Sequence, residues 1–318
     1  MEKRWDVKDP DIEIIRNLAQ NLGVSEIVAN LLVLRGVRTF EESKLFFRPD
    51  LSHLNDPFLM KNMQQAVKRM EIAIKKNQKI LVYGDYDVDG TTSVAMMYSF
   101  LKRHNQHVEY YIPCRYEEGY GISLKGINYA HRNNFSLIIA LDCGTRAIEQ
   151  IDYANQRAID FIICDHHTPS EENPDAIALL NPKQPDCGYP YKELSGCGVG
   201  FKLIHAYCIN NNIPFEKIVE YLDLVTISIG ADIVSVVGEN RVLAFFGLKQ
   251  INFKPRIGLK ALIDASYKTQ EMKMSDLVFA IAPRINAAGR IAHARKAVEL
   301  LVELNYDKAK LFASAIDD

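Results

Sequence analysis

The sequence has 318 residues, of which 48% are hydrophobic and 25% charged, and its formal net charge at pH 7 is −2. A chain of this length and composition can bury a sizeable core, which excludes low-complexity, collagen-like and disulfide-stapled proteins. The sequence shows no signal peptide, no apolar run of ~20 residues and no CxxC pair among its six cysteines, so we expect a cytoplasmic protein with reduced thiols and no membrane association.

The amino-terminal region, residues 1–75, is predicted to be helical. Apolar side chains recur at helical spacing from Ile12 to Leu22 and again from Ile27 to Leu34. We therefore expect several helices before the first strand.

From residue 80 onward, short apolar runs alternate with amphipathic segments. The apolar runs lack strict polar alternation, as expected for strands that are buried on both faces. Strands alternating with helices predict an α/β fold, with a parallel sheet covered by helices on both faces. The predicted strands are residues 80–83, 108–112, 137–141, 161–164 and 176–180, and the helices between the first four are residues 92–104, 123–133 and 146–157.

The charge distribution follows a similar division of the chain. Residues 1–80 carry a net charge of +3, residues 81–240 carry −10 and residues 241–318 carry +5. An acidic centre between basic arms is typical of a metal site that acts on a polyanion, although a random surface distribution would also explain it. We expect a catalytic domain over residues 76–235 and a mostly helical extension over residues 236–318.

Acidic and histidine residues follow three of the predicted strands. The first strand runs into Asp85, Asp87 and Asp89, the third runs into Asp142, and the fourth runs into Asp165–His167. Each of these residues alone could cap a helix or form a turn. However, ligands of open α/β sheets bind at the carboxyl ends of the strands, so we expect these side chains to meet at one edge.

Carboxylates gathered in this way repel one another unless a cation lies between them. Oxygen ligands with one or two imidazoles favour Mn²⁺ or Mg²⁺ over a metal that prefers thiolates. Two such ions, roughly 3.5–4 Å apart, can activate a water and stabilise an in-line phosphoryl displacement. The sequence therefore predicts hydrolysis of a phosphodiester or a phosphomonoester.

The run 85–90 also opens like the calcium-binding loop of an EF-hand. The twelfth position of such a loop is a bidentate glutamate, but in this chain it is Met96. The apolar strand before the run also disagrees with a helix-loop-helix. We exclude the EF-hand interpretation.

Residues 87–91 resemble the nucleophile motif of haloacid-dehalogenase-type phosphatases. Those enzymes also need a downstream lysine and a late acidic pair, and no such motif stands out in the sequence. This interpretation leaves Asp165–His167 without a role, so it remains a minor alternative.

The ordered motifs resemble the DHH phosphoesterase superfamily, and within it the RecJ-type single-strand-specific 5′→3′ exonucleases. Asp165-His166-His167 is the triplet that gives the family its name, and the similarity extends over nearly the whole chain. The matching segments are residues 34–37, 56–58, 83–93, 113–121, 142–144, 165–167, 181–184, 195–200, 230–234 and 283–290.

The resemblance implies a centre for two Mn²⁺ or Mg²⁺ ions in which Asp142 bridges the metals. His167 would contact the scissile phosphate or assist proton transfer, and Asp165 would orient the histidines. Asp89 would either ligate a metal or cap the helix that starts near Thr91. The implied metal ligands are Asp85, Asp87, Asp142, His166 and Asp232.

Substrate contacts are expected first after the second strand. Arg115 would bind a phosphate through its guanidinium fork, unless it pairs with Glu117 or Glu118 on the surface. Tyr116 and Tyr120 would stack on unpaired bases, with core packing as the alternative.

Further contacts are expected later in the chain. Gly196 and Gly198 would offer backbone N–H groups to a phosphate at a helix start, or they would simply form a tight turn. Arg284, Asn286 and Arg290 lie in the basic carboxyl-terminal arm and would hold the strand or its 5′ end.

Two features depart from the family pattern. Tyr83 stands where many relatives have histidine, which would change a neighbour of the metal site. Family members continue into a second domain, often called DHHA1, and RecJ-type members add an oligonucleotide-binding barrel. We expect residues 76–235 to be the DHH catalytic domain and residues 236–318 to lead towards an absent DHHA1-type domain. The chain would then be either a truncated catalytic core or an unusually short member of the family.

The function implied by the resemblance is hydrolysis of single-stranded DNA to mononucleotides during repair and recombination. Single-stranded nucleic acid would be the principal partner, with a single-strand-binding protein or a helicase as protein partners. The first alternative is a phosphatase or phosphodiesterase that acts on nanoRNA, 3′-phosphoadenosine-phosphate or cyclic dinucleotides. The second alternative is a catalytically silent nucleic-acid-binding or scaffold subunit.

Overall fold

Five parallel strands form one sheet, in the order β2-β1-β3-β4-β5, in a computed structural model of the chain. The structure describes residues 8, 10–266, 270–292 and 295–317. The predicted α/β fold with a parallel sheet is confirmed. Since β1 lies between β2 and β3, the direction of the strand order reverses next to β1, which is where open α/β sheets bind ligands. The strands are β1 (Ile80–Gly84), β2 (Val108–Tyr111), β3 (Leu137–Leu141), β4 (Asp160–Cys164) and β5 (Ala178–Leu180).

Helices precede the sheet, connect its strands and follow it. They are α1 (Ile12–Leu22), α2 (Glu26–Val33), α3 (Phe40–Phe47), α4 (Met63–Lys75), α5 (Val88–Lys102), α6 (Leu124–Arg132), α7 (Ile148–Asn155), α8 (Gly196–Asn210), α9 (Leu222–Ala231), α10 (Gly238–Phe253), α11 (Ile257–Ala265), α12 (Met274–Asp276), α13 (Ala282–Ala292), α14 (Arg295–Val302) and α15 (Tyr306–Asp317). A π-helical turn over Leu277–Ile281 joins α12 to α13. Among the described residues, none of the helices has the length and apolar character needed to cross a membrane.

Both faces of the sheet are covered, which explains why the strands are apolar on both sides. Ile80 and Val82 of β1 face a core that includes α4, α5 and α8, whereas Leu81 and Tyr83 face a core that includes α6 and α7. Successive side chains of a strand point to opposite faces, so one strand contributes to both cores. The sheet is thereby held between two helical layers with its carboxyl edge free to form a site.

The helix after β1 begins four residues earlier than predicted. Asp87 is its N-cap, and the Asp87 side chain accepts a hydrogen bond of 2.8 Å from the Gly90 amide. An aspartate in this position satisfies an amide that has no partner within the helix. The strand-end acids are therefore built into a tight strand-to-helix turn.

A buried polar network joins segments from all three predicted parts of the chain. Lys202 Nζ donates to the Asn55 carbonyl oxygen at 2.6 Å and lies 2.8 Å from Glu239 Oε1. Glu239 also accepts hydrogen bonds from the Asn55 backbone amide and from the Tyr189 hydroxyl. Burial lowers the pKa of Lys202, so its charge depends on Glu239. The predicted boundaries at 75/76 and 235/236 remain predictions, and this network crosses both of them.

Substituting Lys202→Met should destabilise the protein, because it leaves the Glu239 carboxylate buried without a cation. We expect the free energy of unfolding in urea to fall by about 3–5 kcal/mol. The matched control is Lys125→Met, which removes an exposed partner of Glu117 and should leave the unfolding midpoint unchanged. Equal effects of the two substitutions would contradict this account of the network.

Candidate metal centre

His166, which follows β4, lies among carboxylates from three different elements. Its Nε2 atom is 3.2 Å from Asp142 Oδ1, 3.6 Å from Asp232 Oδ2 and 3.8 Å from Asp89 Oδ2. Asp142 follows β3, Asp89 lies in the first turn of α5, and Asp232 follows the last residue of α9. The structure therefore brings these predicted residues together, and Asp232 reaches the site from outside the sheet.

Asp85 and Asp87 complete the acidic group at the end of β1. Asp85 is buried, and its Oδ1 atom accepts a long hydrogen bond of 3.4 Å from the Gly121 amide. Burial, followed by the charge of Asp87, raises the pKa of Asp85 to about 7. Burial and the charge of Asp89 raise the pKa of Asp87, and a hydrogen bond with Asp142 partly offsets that rise. All five implied metal ligands thus lie at one edge of the sheet.

The acidic group is electrostatically unfavourable without a cation. Burial and the charges of Asp89 and Asp87 raise the pKa of Asp142 well above its usual value. Burial and the charge of Asp89 also raise the pKa of Asp232, to about 6. Carboxylates this close to one another cannot all ionise unless a positive charge lies between them.

Atoms in this group lack hydrogen-bond partners within the part of the chain that the structure describes. They are Asp85 Oδ2, Asp142 Oδ1 and both ring nitrogens of His166. Buried polar atoms normally have partners, so a cluster of unpaired acceptors needs an explanation. Carboxylate oxygens with one imidazole are ligands that Mn²⁺ and Mg²⁺ accept. The residues present therefore fit a site for such ions.

Asp165 has a different environment from Asp142, although the two carboxylates share the edge of the sheet. Its Oδ1 atom accepts from the His166 amide at 2.7 Å and lies 2.7 Å from His167 Nδ1, and its Oδ2 atom accepts from the Thr145 amide at 2.8 Å. Burial acts to raise the pKa of Asp165, but the bonds to His167 and Thr145 lower it overall. Asp165 is therefore held ionised, with donors on both oxygens.

His167 is fixed between Asp165 and Tyr120. The Asp165 carboxylate can only accept, so His167 Nδ1 carries a hydrogen. The Tyr120 hydroxyl donates to the Asp142 carbonyl oxygen at 3.2 Å and lies 3.0 Å from His167 Nε2. The bond to Asp165 raises the pKa of His167. The ring is 45% exposed, so it can reach a bound phosphate.

Two polar residues that sequence reasoning missed hold this histidine. Asn181 Nδ2 donates to the His167 carbonyl oxygen at 2.8 Å and to Thr145 Oγ1 at 3.0 Å. Asn181 follows β5 and Thr145 lies in the loop after β3, so both are at the same edge of the sheet. Extending the search from acids to every polar residue after a strand would have found them.

The exposed side of the site, which we call its mouth, carries the Arg115 guanidinium and the rings of Tyr86 and Tyr120. The Arg115 guanidinium lies 5.2 Å from the centre of the Tyr86 ring, and Tyr86 meets Tyr120 edge-on at 6.4 Å. A cavity of about 410 Å³ opens beside His167 and Tyr120 and also contacts Gln150. The role of Arg115 in phosphate binding and its alternative, a surface pair with Glu117 or Glu118, both stay predictions.

Those two glutamates have other partners. Glu118 accepts hydrogen bonds from the Cys114 amide and the Tyr111 hydroxyl, each at 2.9 Å. Glu117 pairs with Lys125 at 2.6 Å. The glutamates therefore anchor the loop that also carries Arg115.

Tyr83 is turned away from the acids. Its buried hydroxyl donates to the Gly121 carbonyl oxygen at 2.9 Å and accepts from the Ser123 amide at 3.0 Å. Tyr83 therefore fastens the base of the loop that carries Tyr120. The amide of the same Gly121 donates to Asp85, and an effect of Tyr83 on a neighbour of the metal site stays a prediction.

The predicted phosphate contacts at Gly196 and Gly198 need correction. The Gly196 and Cys197 amides donate to the Asp89 carboxylate at 2.7 and 2.8 Å, and the Gly198 amide donates to Ser195 Oγ at 3.1 Å. These amides are buried and already used, so they have no hydrogen to offer a phosphate. Asp89 thus caps α8 rather than its own helix, and with His166 and Asp232 it also forms a group that could hold a metal ion, so its role as a ligand stays a prediction.

The residues predicted in the basic arm lie on α13. Arg284 Nη1 donates to the Ala280 carbonyl oxygen at 2.9 Å, and Asn286 is partly buried. The side chain of Arg290 lies outside the described residues. The role of these three residues in strand binding stays a prediction.

Comparisons with known proteins agree with this geometry. The sequence profile of the DHH family, N-terminal domain, matches residues 79–229. The single-stranded-DNA-specific exonuclease RecJ of Bacillus subtilis is 41% identical over 99% of this chain and 39% of its own length, and that of Escherichia coli is 33% identical over 92% and 52%. The crystal structure of RecJ from Thermus thermophilus in complex with Mn²⁺ superposes with a TM-score of 0.81 at 28% identity, over 97% of this chain and 44% of that one. The chain thus spans about half, or less, of the length of these relatives.

Removing the charge of Asp142 or of Asp165 should have opposite effects on the metal-free protein. At neutral pH the raised pKa of Asp142 means that its ionisation costs stability, so Asp142→Asn should increase the free energy of unfolding in chelator. The pKa of Asp165 is lowered, so its charge stabilises the fold above the unfolded pKa, and that contribution is lost as the pH falls. Asp165→Asn should therefore lower the stability, as measured by thermal unfolding.

Adding Mn²⁺ should then make Asp142→Asn less stable than the unsubstituted protein. At a free concentration of about 100 times its Kd, Mn²⁺ should stabilise the unsubstituted protein by about 2.7 kcal/mol, and this gain should be lost in Asp142→Asn. If Asp142→Asn keeps the full gain, Asp142 does not ligate the metal.

Proposed function

This chain belongs to the DHH family of phosphoesterases, and we propose that it is a divalent-metal-dependent exonuclease that degrades single-stranded DNA from the 5′ end to mononucleotides. The observation that carries the proposal is the group of buried polar atoms that have no hydrogen-bond partner among the described residues, beside the exposed His167 ring at the carboxyl edge of the sheet. Similarity to proteins named single-stranded-DNA-specific exonucleases supports the choice of substrate. The polarity and the product follow from that similarity alone.

Five side chains of this chain would hold two Mn²⁺ or Mg²⁺ ions. When bound, the ions would neutralise the carboxylates, stabilise charge on the phosphate oxygens and favour ionisation of a water. Asp142 lies centrally, since its pKa responds to Asp87, Asp89 and Asp232 alike, and this suits a bridging position. The proposed ligands are Asp85, Asp87, Asp142, His166 and Asp232.

His167 would act on the phosphate and its leaving oxygen. Its Nε2 atom lies on the side of the ring away from Asp165, 3.0 Å from the Tyr120 hydroxyl. Asp165 keeps the ring in one orientation and stabilises its positive charge. A proton at Nε2 can stabilise the charge on the phosphate or pass to the departing 3′ oxygen.

The mouth of the site suits an unpaired strand. Arg115 can bind a backbone phosphate, while Tyr86 and Tyr120 present ring faces for stacking of unpaired bases. Base–aromatic stacking contributes about 1–3 kcal/mol per base and tolerates any sequence. A duplex keeps its bases stacked on each other, so it cannot use these rings.

The proposed setting is DNA repair and recombination in the cytoplasm, with a single-strand-binding protein or a helicase supplying the strand. Free thiols at Cys114, Cys143, Cys164, Cys187, Cys197 and Cys208 are consistent with a reducing compartment. The comparisons favour the exonuclease over the phosphatase and phosphodiesterase alternative. The acidic site likewise disfavours a silent scaffold.

The test of this function is a nuclease assay with Mn²⁺ on single-stranded DNA labelled at either end. We expect labelled mononucleotide to appear first from the 5′ label, little cleavage of blunt duplex, and no cleavage in chelator. Asp142→Ala should reduce the rate to background. Faster hydrolysis of dinucleotides than of long strands would favour the alternative, and retained activity in Asp142→Ala would refute the site.

Substitutions at the mouth should weaken the binding of single-stranded DNA more than they slow the hydrolysis step. Tyr86→Leu keeps an apolar side chain but removes the ring under Arg115, so KM for single-stranded DNA should rise about tenfold, with a smaller change in kcat. The control Tyr129→Leu removes a tyrosine of α6 that bonds Glu109, and should leave KM unchanged. An unchanged KM in Tyr86→Leu would exclude stacking at this position.

A further inference from the structure

The residue directly after Asp232 has an unusual backbone conformation for its type. Ile233 has a φ of 55°, in the left-handed region that a side chain branched at Cβ rarely adopts. Among the described residues it is the only β-branched one with such a φ. The other described non-glycine residues with a positive φ are asparagine, aspartate or alanine, namely Asn62, Asn77, Asn134, Asn212, Asp142 and Ala158. Ile233 is therefore a strained position next to an implied metal ligand.

The left-handed residue ends helix α9. Asp232 is the C-cap of this helix, and its amide donates to the Ser228 carbonyl oxygen at 3.0 Å, so Ile233 takes the next position. Glycine is the usual residue there, because it has no Cβ atom to resist a positive φ. The fold thus needs a turn at residue 233, and glycine would form it with less strain.

The isoleucine side chain contributes little to the packing of the fold. It is 84% exposed, so it buries little apolar surface against the described residues. Single exposed apolar side chains are common on protein surfaces, but this one also carries backbone strain. Strained residues of this kind cluster at active sites and ligand contacts. The stability of the described structure therefore does not explain why residue 233 is isoleucine.

Ile233 stands at the rim of the metal centre. Asp232 Oδ2 is 3.6 Å from His166 Nε2, and ligand atoms of these two residues and of Asp89 lie within 4.8 Å of one another. Consecutive Cα atoms are about 3.8 Å apart, which places the backbone of Ile233 beside this group. A phosphate held there carries a sugar and a base towards the rim. An apolar side chain offers nothing to the phosphate, but it can pack against the sugar or the base.

The aromatic residues of the mouth come from a different part of the fold. Tyr86 and Tyr120 follow β1 and β2, whereas Ile233 follows α9, outside the sheet. Apolar side chains from two separate parts of the fold thus border the acidic group. Such a combination of apolar surface with a few polar groups is typical of sites that bind small organic molecules such as a nucleoside.

We propose that Ile233 is a substrate-contact residue, whose exposed side chain packs against the sugar or the base of the nucleotide at the scissile phosphate. The proposal rests on the proposed function, since it needs a single strand bound at the metal centre. It explains why a residue that strains the turn stands where glycine would be more stable. The competing explanation is that another protein segment covers the side chain.

Two glycine variants separate backbone strain from substrate contact. Ile233→Gly removes the strain and the side chain together. The matched control Ala158→Gly removes a left-handed alanine between α7 and β4, at the amino edge of the sheet. In chelator, the midpoint of thermal unfolding should rise by about 1–2 °C in Ile233→Gly. With Mn²⁺, KM for single-stranded DNA should rise about fivefold in Ile233→Gly, with a smaller change in kcat, and should not change in Ala158→Gly.

Two asparagine variants isolate the apolar character of the side chain. Asparagine tolerates the left-handed region, so Ile233→Asn keeps the turn, removes the apolar contact and should raise KM as Ile233→Gly does. Leu304, between α14 and α15, is also 84% exposed, and Leu304→Asn should leave KM unchanged. The affinity for Mn²⁺, measured by titration calorimetry, should be the same in all four variants, because none of them alters a carboxylate.

A strand whose first two nucleotides lack bases identifies the part of the nucleotide that Ile233 contacts. If the difference in KM between the unsubstituted protein and Ile233→Gly persists on this strand, the side chain packs against the sugar. If the difference disappears, the side chain packs against the base.

Three results would overturn the proposal. An unchanged KM in both Ile233 variants would leave the side chain to another protein segment. A higher KM together with weaker Mn²⁺ binding would mean that the substitutions act through Asp232. A lower unfolding midpoint in Ile233→Gly would show that the side chain stabilises the fold itself. Failure of the unsubstituted protein to cleave single-stranded DNA would instead refute the proposed function, before any variant is compared.

Discussion

Repulsion among buried carboxylates is the constraint on which the arrangement of this molecule depends. The raised pKa values of Asp85, Asp142 and Asp232 show that the fold holds these acids together at a cost in stability. Backbone amides offset part of that cost, since Gly90 donates to Asp87 and the start of α8 donates to Asp89. Among the described residues, Asp85 Oδ2 and Asp142 Oδ1 have no such donor, so a cation is what the geometry still requires.

The same edge of the sheet gives two aspartates opposite properties. Asp142 has an unpaired oxygen and close acidic neighbours, whereas Asp165 has donors on both oxygens. One carboxylate is therefore suited to bind a cation, and the other to hold His167 in place and raise its pKa. The two residues are of the same type, so their different surroundings give them different roles. The same holds in other sites where the environments of two paired acids push their pKa values apart.

The sheet and its acids could be predicted because strand periodicity and strand ends are local features of the sequence. The five predicted strands match the observed ones closely, and Asp85, Asp142 and His166 follow directly from them. Asp232 follows a helix, so its place depends on how α9 packs against α5 and α10, and only the family resemblance indicated it. The error at Gly196 has a similar cause, because its amide is bound by a residue 107 positions earlier in the chain.

The loop after β2 combines rigidity with exposure, and under the proposed function this combination would favour unpaired strands. Its base is fixed by Tyr83 and Glu118, both bonded to buried or partly buried groups, while Tyr120 remains 53% exposed. Rings held in place lose little conformational entropy when a base stacks on them. Only a strand without a complement presents free base faces to such rings, so selectivity for single strands can arise here without any contact that reads sequence.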